Sequence, residues 1–282
     1  MLGFSFMSQQ DLSHMYFDFA GLTDVGVVRE NNEDAWWAGG LIGELKPMDT
    51  AASGRALSDT GVLLAVSDGL GGASAGEVAS HMSVDTVVKT LSSLPRGQAS
   101  QTNVVHALKS ANEALVAAGT DNVQWMGMGA TMSFLWAEEG GAFFGQVGDS
   151  RIYRWRAGRL FELSPDHSPV GRMRQSGQLT ESEARRHPRR HVIDQCLGGG
   201  ESTLSPDCEA VDVLPGDLFL LCTDGLTDGV TDQELGEALA AAADPASDLG
   251  LIARRMVDLA NKVSGRDNVS VVIARCGVAS VS

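Results

Sequence analysis

Four aspartates stand at the ends of short apolar segments, where side chains can gather at one edge of a sheet. Asp68 follows GVLLAVS, Asp149 follows AFFGQVG, Asp224 follows DLFLLCT, and the pair Asp267-Asn268 precedes VSVVIAR. If these segments are strands, the four carboxylates are suited to converge, and they would repel one another unless cations lay between them. The pattern therefore predicts a site for more than one divalent cation.

The predicted ligands are oxygen atoms, which limits the ions that could bind. Glycine after Asp68 lets the backbone approach an ion closely, so the Gly69 carbonyl could join the Asp68 carboxylate. Neither histidine nor cysteine belongs to this set, and oxygen ligands suit Mg²⁺ or Mn²⁺. An isolated Asp-Gly pair is a common turn, so the prediction depends on the repetition of the pattern.

An arginine and a carboxylate lie near each other upstream, in the segment RENNED that begins at Arg29 and ends at Asp34. The planar guanidinium of Arg29 could bind two oxygens of a phosphate, and Asp34 could orient metal-bound water. Taken alone, the segment also fits an exposed charged turn. Together with the four aspartates it indicates phosphate chemistry.

Short apolar runs bounded by Gly and Asp predict the strands that would position these residues. They are Gly61–Ser67, Ala130–Trp136, Ala142–Val147, Arg151–Trp155, Asp217–Cys222 and Val269–Ala274. Tight turns after several of them favour antiparallel pairing. The stretch from Gly39 to Thr60, rich in Gly, Ala and Ser, is predicted to be a surface excursion between two strands.

Apolar residues at a 3.6-residue period predict helices around Val84–Leu91 and Ile252–Val263, and further helices are predicted over Val104–Ala118 and Asp232–Ala243. Helices grouped in pairs between runs of hairpin strands are typical of an α+β fold with helices packed on sheet faces. Trp36 is expected to pack in the core with the other tryptophans.

Composition excludes several classes of partner. Lys and Arg total 21 against 36 Asp and Glu, giving a net charge of −15 that would repel nucleic acid and anionic membranes. A two-metal nuclease is therefore disfavoured. The four cysteines lack C-x-x-C spacing and are predicted to be reduced thiols. Without a basic leader or a run of about 18 apolar residues, the chain is expected to be cytoplasmic and not membrane-bound.

The chain resembles the PPM family, the type 2C metal-dependent serine/threonine protein phosphatases, in its bacterial form. The motifs that carry the resemblance run in order from Asp24 to Asn268. They are Asp24-Val-Gly-Val-Val-Arg-Glu-Asn-Asn-Glu-Asp34, Asp68-Gly-Leu-Gly-Gly72, Gly129-Ala-Thr131, Gly148-Asp-Ser-Arg151, Ser164-Pro-Asp-His167, Thr223-Asp-Gly225 and Gly265-Arg-Asp-Asn268. The resemblance implies a central antiparallel β-sandwich flanked by helices on both faces, a four-layer αββα arrangement.

The resemblance also implies a role for each site residue. Asp68 would bridge two Mn²⁺ or Mg²⁺ ions, and Gly69 would bind one of them through its carbonyl. Asp224 and Asp267 would complete the shell of the other ion. Asp149 matches the aspartate that supports a third, weaker ion in bacterial members. Asp34 would act on the metal ions through water, and Arg29 would hold the substrate phosphate.

The implied reaction is hydrolysis of phosphoserine and phosphothreonine on proteins by a hydroxide that bridges the two metal ions. One residue departs from the eukaryotic pattern, because Leu70 stands where those members carry a histidine proposed as the general acid. Bacterial relatives usually have methionine there, so Leu70 does not argue against activity. The leaving oxygen would then take its proton from another source, such as metal-bound water.

Partners and alternatives follow from the same resemblance. A serine/threonine kinase is expected as functional counterpart, phosphorylated proteins as substrates, and a monomer as the state of the chain. The alternative is a non-catalytic phosphoprotein-binding regulator of the same fold. A cysteine-based tyrosine phosphatase is disfavoured because the chain has no C-x5-R loop.

The expected organisation is a flexible leader, 1–16, followed by a single catalytic domain, 17–278. Within this domain a variable flap is expected at about 168–195. The flap contains a basic patch, Arg185–His191, which could dock acidic substrates or could simply be a solvated helix end. For His167 a structural hydrogen bond is the expected role.

Overall fold

The computed structural model describes residues 11–43, 45, 48, 50–71, 75–199 and 204–279. The strands, in chain order, are β1 (Met15–Asp24), β2 (Asp34–Gly40), β3 (Ala51–Leu57), β4 (Val62–Leu70), β5 (Gly129–Ala130), β6 (Met132–Glu138), β7 (Gly141–Val147), β8 (Arg151–Arg156), β9 (Arg159–Glu162), β10 (Leu197–Gly198), β11 (Asp207–Val211), β12 (Leu218–Cys222) and β13 (Val269–Val278). The helices are α1 (Ala75–Ser92), α2 (Gln101–Asp121), α3 (Pro169–Gln175), α4 (Glu181–Arg186), α5 (Asp224–Thr227), α6 (Asp232–Ala242) and α7 (Leu249–Val263).

The strands form two sheets. One has six strands in the order β3-β1-β13-β12-β8-β9. The other has seven, in the order β10-β5-β4-β6-β7-β11, with β2 paired to β4. Neighbouring strands are antiparallel throughout the described part of both sheets, as the tight turns predicted.

Three apolar clusters fill the spaces between four layers. The central cluster lies between the two sheets and includes Leu64, Phe219 and Val272. A second cluster joins α1 and α2 to the seven-stranded sheet, and a third joins α6 and α7 to the six-stranded sheet. The predicted α+β fold, with an antiparallel β-sandwich flanked by helices on both faces, is confirmed.

The burial of single strands explains the continuous apolar runs in the sequence. In β4, Leu63 and Ala65 pack against the helices, whereas Leu64 and Val66 pack against the other sheet. A strand covered on both faces has no polar face, so its side chains are apolar without alternation. All six predicted strands are present, and so are the four predicted helices, as α1, α2, α6 and α7.

The helices begin at the residues that their capping chemistry favours. Thr231 and Glu234 form a reciprocal capping box at the start of α6, and the Asp248 carboxylate accepts hydrogen bonds from the first backbone N–H groups of α7. Two short helices, α3 and α4, lie inside the expected flap region. Among the described helices, none is long and apolar enough to cross a bilayer.

Three strands near the start of the chain were not predicted. β3 lies within the segment from Gly39 to Thr60, so the prediction of a surface excursion is wrong for this part. Small residues give β3 no side-chain pattern, and its backbone pairing with β1 makes it a strand. β1 and β2 were also missed, although Trp36 and Trp37 of β2 are buried, as expected of core residues.

The expected leader, 1–16, lies mostly outside the described residues. Its described part begins at residue 11, and there Leu12 is fully buried and Met15 opens β1. Both residues pack in the cluster between the two sheets. The boundary at residue 16 is therefore wrong for this part, because apolar burial makes it part of the fold.

Candidate functional site

The end of β4 presents Asp68 and Gly69. The Asp68 backbone N–H donates to the Thr131 hydroxyl at 2.9 Å, and the Asp68 carbonyl accepts from the Thr131 N–H at 2.8 Å. A Cβ atom at Gly69 would lie 2.1 Å from the Gly76 carbonyl oxygen and 2.6 Å from that of Glu33. Since no side chain fits there, only glycine lets the strand pass between β2 and α1.

Asp34 lies directly opposite Asp68 in the ladder between β2 and β4. It is buried, and its Oδ2 atom accepts a hydrogen bond from the Thr223 hydroxyl at 2.8 Å. Its Oδ1 atom has no hydrogen-bond partner among the described residues. Burial, aided by the charges of Asp224 and Asp267, raises the pKa of Asp34 to about 7.

Asp149 occupies the bend between β7 and β8. It is buried, and burial raises its pKa well above the usual value, with further contributions from the charges of Asp224 and Asp166. The preceding Gly148 has a φ of +101°, and a Cβ atom there would lie 2.6 Å from the Thr131 side chain. Glycine therefore permits the bend that brings Asp149 beside the end of β4.

Asp224 is the first residue of α5, directly after β12. Its Oδ1 atom is buried and has no hydrogen-bond partner among the described residues. The next residue, Gly225, approaches the Asn268 carbonyl so closely that a Cβ atom would lie 2.0 Å from that oxygen. This close contact fixes the start of α5 against the loop that carries Asp267.

The loop between α7 and β13 carries Asp267 and joins the site to the segment of Arg29. Asn268 makes this connection, because its Oδ1 accepts from the Glu33 N–H at 2.8 Å and its Nδ2 donates to the Val25 and Asn31 carbonyls, each at 2.9 Å. This role of Asn268 was not predicted, and its only signal in the sequence is the place of Asn268 in a matched motif.

Arg29 lies at the edge of the site and is held there by carboxylates. Its Nη2 donates to Asp267 Oδ2 at 2.9 Å, and its Nη1 lies 4.0 Å from Glu33 Oε2. Burial lowers the pKa of Arg29 and the neighbouring charge of Asp267 raises it, and the net direction is upward. The Arg29 side chain is 45% exposed, so it remains partly open to solvent.

Six of the seven predicted site residues line one open cleft of about 490 Å³, and Asp34 lies beneath it. The lining side chains are Arg29, Glu33, Asp68, Leu70, Asp149, His191, Ile193, Asp224, Asp228, Arg266 and Asp267, together with Gly69 and Gly71. Burial raises the pKa of Asp68 well above its usual value, and the charges of Asp34, Asp224, Asp149 and Asp267 raise it further. The aspartates predicted from separate segments thus share one electrostatic site.

This donor set fits divalent cations. The converging groups are carboxylates and one backbone carbonyl, the oxygen ligands that Mg²⁺ and Mn²⁺ prefer. Two of the carboxylate oxygens, Asp34 Oδ1 and Asp224 Oδ1, are buried without a hydrogen-bond partner among the described residues. Unpaired buried oxygens and mutual repulsion are both relieved when cations occupy such a site.

The flap adds a histidine, and the end of α5 adds an aspartate, neither of which was predicted as a site residue. His191 Nδ1 lies 3.9 Å from Asp224 Oδ2 and 3.8 Å from Asp228 Oδ2. One ligand atom from each of these three residues falls within a span of 4.8 Å, which could hold an ion. The nearby carboxylate of Asp224, together with that of Asp228, raises the pKa of His191. Asp228, in the helical turn after Asp224, could have been suspected from that spacing alone.

The basic patch Arg185–His191 is not a uniform surface. Arg185 donates to the Thr227 and Val230 carbonyls and pairs with Glu181 at 2.6 Å, so it holds α4 against the end of α5. The Arg190 side chain approaches Asp228 at 3.9 Å. Docking by the whole patch is therefore not supported for Arg185, whose charge is already used within the fold.

His167 has the structural role that was expected. Its Nδ1 accepts a hydrogen bond from the Gly148 N–H at 3.2 Å, so the proton resides on Nε2, which donates to Asp207 Oδ2 at 2.7 Å. The histidine thereby links the bend before Asp149 to β11. It does not line the cleft.

Comparison with known proteins identifies the family. The family model for protein phosphatase 2C matches residues 48–257. The serine/threonine protein phosphatase PstP of Mycobacterium tuberculosis is 32% identical over 256 residues, which are 91% of this chain and 44% of the relative. The protein phosphatase PhpP of Streptococcus pneumoniae is 30% identical over 262 residues, covering 89% of this chain and 94% of the relative.

Solved structures give the same result. The catalytic domain of PstP in complex with two manganese ions superposes with a TM-score of 0.73 at 29% identity, covering 93% of this chain and 99% of that one. The chain spans 44% of the length of PstP, the first relative named above. Together with the fold and the cleft, these matches show that the chain belongs to the protein phosphatase 2C family of metal-dependent serine/threonine phosphatases.

Proposed function

We propose that this chain hydrolyses phosphoserine and phosphothreonine monoesters on proteins with the help of Mn²⁺ or Mg²⁺. One observation carries the proposal: aspartates from four separate strand ends converge on a single cleft with an arginine at its edge. The family match and the manganese-bound relative support the same activity.

The proposed ligands divide between two ions. Asp68 would contact both ions, and Gly69 would contribute its carbonyl to one of them. Asp224 and Asp267 would complete the set for the other. Asp149 would hold a third, weaker ion, which its position beside Asp224 supports because the charge of Asp224 contributes to its raised pKa.

Bound divalent cations would supply Lewis acidity, acidifying the attacking water and neutralising charge on the phosphoryl group. Arg29 would orient that group by binding two of its oxygens, exchanging its present partner Asp267 for phosphate. Asp34, fixed by the Thr223 hydroxyl, would accept a hydrogen bond from water at the floor of the cleft. Leu70 lines the cleft but offers no proton, so the leaving oxygen must be protonated by solvent or another group.

The proposal extends to the setting of the reaction. Phosphorylated proteins would be the substrates, and a serine/threonine kinase would be the counterpart. We further propose a cytoplasmic monomer in which 17–278 belong to a single catalytic domain with a flap at about 168–195. The placement of His191 within 3.9 Å of Asp224 supports a flap that borders the cleft.

The experiment compares hydrolysis of a phosphothreonine peptide by the wild type, Asp68→Asn and Asp149→Asn, with Mn²⁺ or with excess EDTA. EDTA should abolish turnover by the wild type. Asp68→Asn should lose activity by at least about a hundredfold because it removes a ligand of both ions, and Asp149→Asn should lose much less. Titration calorimetry should show the same order for loss of Mn²⁺ binding.

The control is Asp85→Asn, which removes one carboxylate charge from the exposed face of α1. Hydrolysis that persists in EDTA after metal removal has been verified would refute the metal-dependent mechanism. Binding of phosphopeptide without any turnover would favour the non-catalytic regulator. A nuclease assay on the same preparation tests the remaining alternative.

A further inference from the structure

A second arginine lines the cleft, and its charge is not used by the fold. Arg266 is exposed and borders the same cleft as Arg29. No hydrogen bond or ion pair joins its guanidinium to any other residue in the described part of the chain. Arg29, by comparison, is paired with Asp267 at 2.9 Å. A free guanidinium at a cleft that would take phosphorylated proteins requires an explanation.

The backbone on both sides of Arg266 is held in place. The Gly265 carbonyl accepts hydrogen bonds from the N–H groups of Val27 at 2.8 Å and Val28 at 3.1 Å. On the other side, the Asn268 side chain binds the Val25 and Asn31 carbonyls. The backbones of the loops that carry Arg29 and Arg266 are thus joined to each other, so both side chains extend from backbone positions that are held together at the cleft.

The two arginines lie at different depths. Arg29 is partly buried and interacts with the charges of Asp267, Glu33 and Asp68, which places it beside the proposed metal ligands. Arg266 is exposed beside Val28, which is 66% exposed. A peptide whose phosphoryl group reached Arg29 would lay its neighbouring residues along this outer rim.

The charge of Arg266 determines which side chains of a bound peptide would bind at this outer rim. The other charged side chains of the cleft are carboxylates, apart from Arg29 and His191, and the proposed cations would neutralise those on its floor. Arg266 then remains as a positive charge at the mouth that no described residue pairs. A guanidinium of this kind binds carboxylate or phosphate groups in preference to neutral side chains.

We propose that Arg266 forms a substrate subsite for an anionic side chain close to the phosphorylated residue, either a carboxylate or a second phosphoryl group. This inference rests on the proposed phosphatase function. It makes the chain selective for acidic or multiply phosphorylated segments. Arg29 binds the reacting phosphoryl group, and Arg266 binds the anionic side chain next to it in the substrate.

The test compares three phosphothreonine peptides, whose flanking residues are Glu, Gln or phosphoserine, and a small aryl phosphate. The wild type should show kcat/KM values about two- to fivefold higher for the Glu peptide than for the Gln peptide, a difference that shrinks at high salt. In Arg266→Gln this ratio should fall to near one, and Arg266→Lys should retain part of it. The phosphoserine-flanked peptide tells whether the subsite favours phosphate over carboxylate.

The matched control is Arg255→Gln, which removes one exposed charge from α7 away from the cleft and should keep the wild-type ratio. Equal losses on the aryl phosphate and the Glu peptide would overturn the proposal, because Arg266 would then contact the reacting phosphoryl group itself. An unchanged ratio in Arg266→Gln would overturn it as well.

A binding measurement separates this inference from the proposed function. Non-hydrolysable phosphonate analogues of the Glu and Gln peptides are titrated with Mn²⁺-loaded wild type and Arg266→Gln, and fluorescence anisotropy gives Kd. Preference of the wild type for the acidic analogue, lost in Arg266→Gln, supports the subsite even if no turnover is found. Equal Kd values for both analogues in the wild type refute the subsite even if the enzyme is active.

Discussion

Asp34 and Asp68 face each other across the ladder between β2 and β4, so two carboxylates of like charge lie side by side. Burial raises the pKa of both groups, and neighbouring charges raise it further, those of Asp224 and Asp267 at Asp34 and first that of Asp34 at Asp68. Without cations the site retains protons that exposed carboxyl groups would release at neutral pH. Metal binding at this site should therefore release protons and strengthen as pH rises.

Arg29 is the residue whose proposed role is most directly testable. Arg29→Ala should reduce kcat/KM for a phosphothreonine peptide roughly tenfold to hundredfold, mainly through KM, because a charge-assisted bidentate contact is lost. Mn²⁺ affinity should stay the same or increase slightly, since Asp267 is freed from its ion pair. Steady-state kinetics and calorimetry measure the two effects separately.

Arg55→Ala is a suitable control, because Arg55 is an exposed arginine of β3 that pairs with Asp18 of β1, outside the cleft. It should leave kcat/KM within about twofold of the wild type. If Arg29→Ala matches this control, Arg29 does not bind the phosphoryl group.

At the scale of residues, the sequence predicted the site residues that follow a repeated pattern. It missed those whose side chains reach the site only because of how the chain folds. The aspartates were recognisable because each stands next to an apolar strand. His191 and Asp228 were missed because their approach to Asp224 depends on how the flap packs on α5. Arg266 stands in a matched motif but was given no role, since only the fold shows that it has no partner among the described residues.

Helix α4 is attached to the site by side chains near both of its ends. Arg185 donates to the Thr227 and Val230 carbonyls, and Glu181 accepts from the Asp232 N–H at 2.9 Å. These bonds satisfy backbone groups at the end of α5 and the start of α6 that would otherwise lack partners. The flap is thereby connected to the element whose first residue is Asp224.

Arg185→Gln should loosen this attachment. Leaving two partly buried carbonyls without their charged donor should cost about 1–3 kcal/mol of stability and speed amide hydrogen exchange in α4 and in residues 227–232. Hydrogen exchange followed by mass spectrometry measures the local effect, and thermal unfolding measures the global one.

Arg186→Gln serves as the control, because Arg186 follows on the same helix and is exposed. Its exchange pattern should match the wild type. Identical patterns in both variants would show that Arg185 does not fasten the flap. Docking of acidic substrates by the patch remains a prediction for the exposed Arg186 and Arg189.

At the scale of elements, burial on both faces made the central strands predictable from their apolar residues. The peripheral strands lack this signal and were missed. β4 and β13 appear as apolar runs because both of their faces are covered. β3 has small, mostly exposed side chains, and only its pairing with β1 defines it. Sequence patterns report burial, whereas edge strands are defined by backbone hydrogen bonds to partners distant in sequence.

The whole molecule carries a net charge of −15, and several of its carboxylates meet in one cleft. Because these carboxylates lie so close together, the stability of the metal-free protein depends on pH. The folded state binds protons on Asp34, with a pKa of about 7, and on Asp68 and Asp149, which the unfolded chain releases near pH 4. Stability contributed by these protons is therefore lost as pH rises through the folded-state pKa.

The metal-free protein should unfold at a higher temperature at pH 6 than at pH 8, with a slope of at most about 1.4 kcal/mol per pH unit for each group that titrates. Saturating Mn²⁺ should raise Tm most at pH 8, where protons no longer neutralise the cleft. Differential scanning calorimetry at several pH values measures both effects.

Asp34→Asn supplies the control, because it keeps the shape of the buried side chain and removes one titrating group. Its metal-free Tm should vary less with pH than that of the wild type. A metal-free Tm that rises between pH 6 and pH 8 would contradict the proposed electrostatics of the cleft.

The six-stranded sheet ends in β3 on one side and β9 on the other. On β3, Arg55 lies 4.0 Å over the Tyr16 ring and donates from Nη2 to Asp18 at 2.9 Å, which fixes a charge on a short strand of small residues. β9 has four residues and begins and ends with charged ones, Arg159 and Glu162. Short, charged edges present few backbone groups to which the strand of another molecule could pair, so we expect this sheet of the folded protein to resist growth into intermolecular sheets.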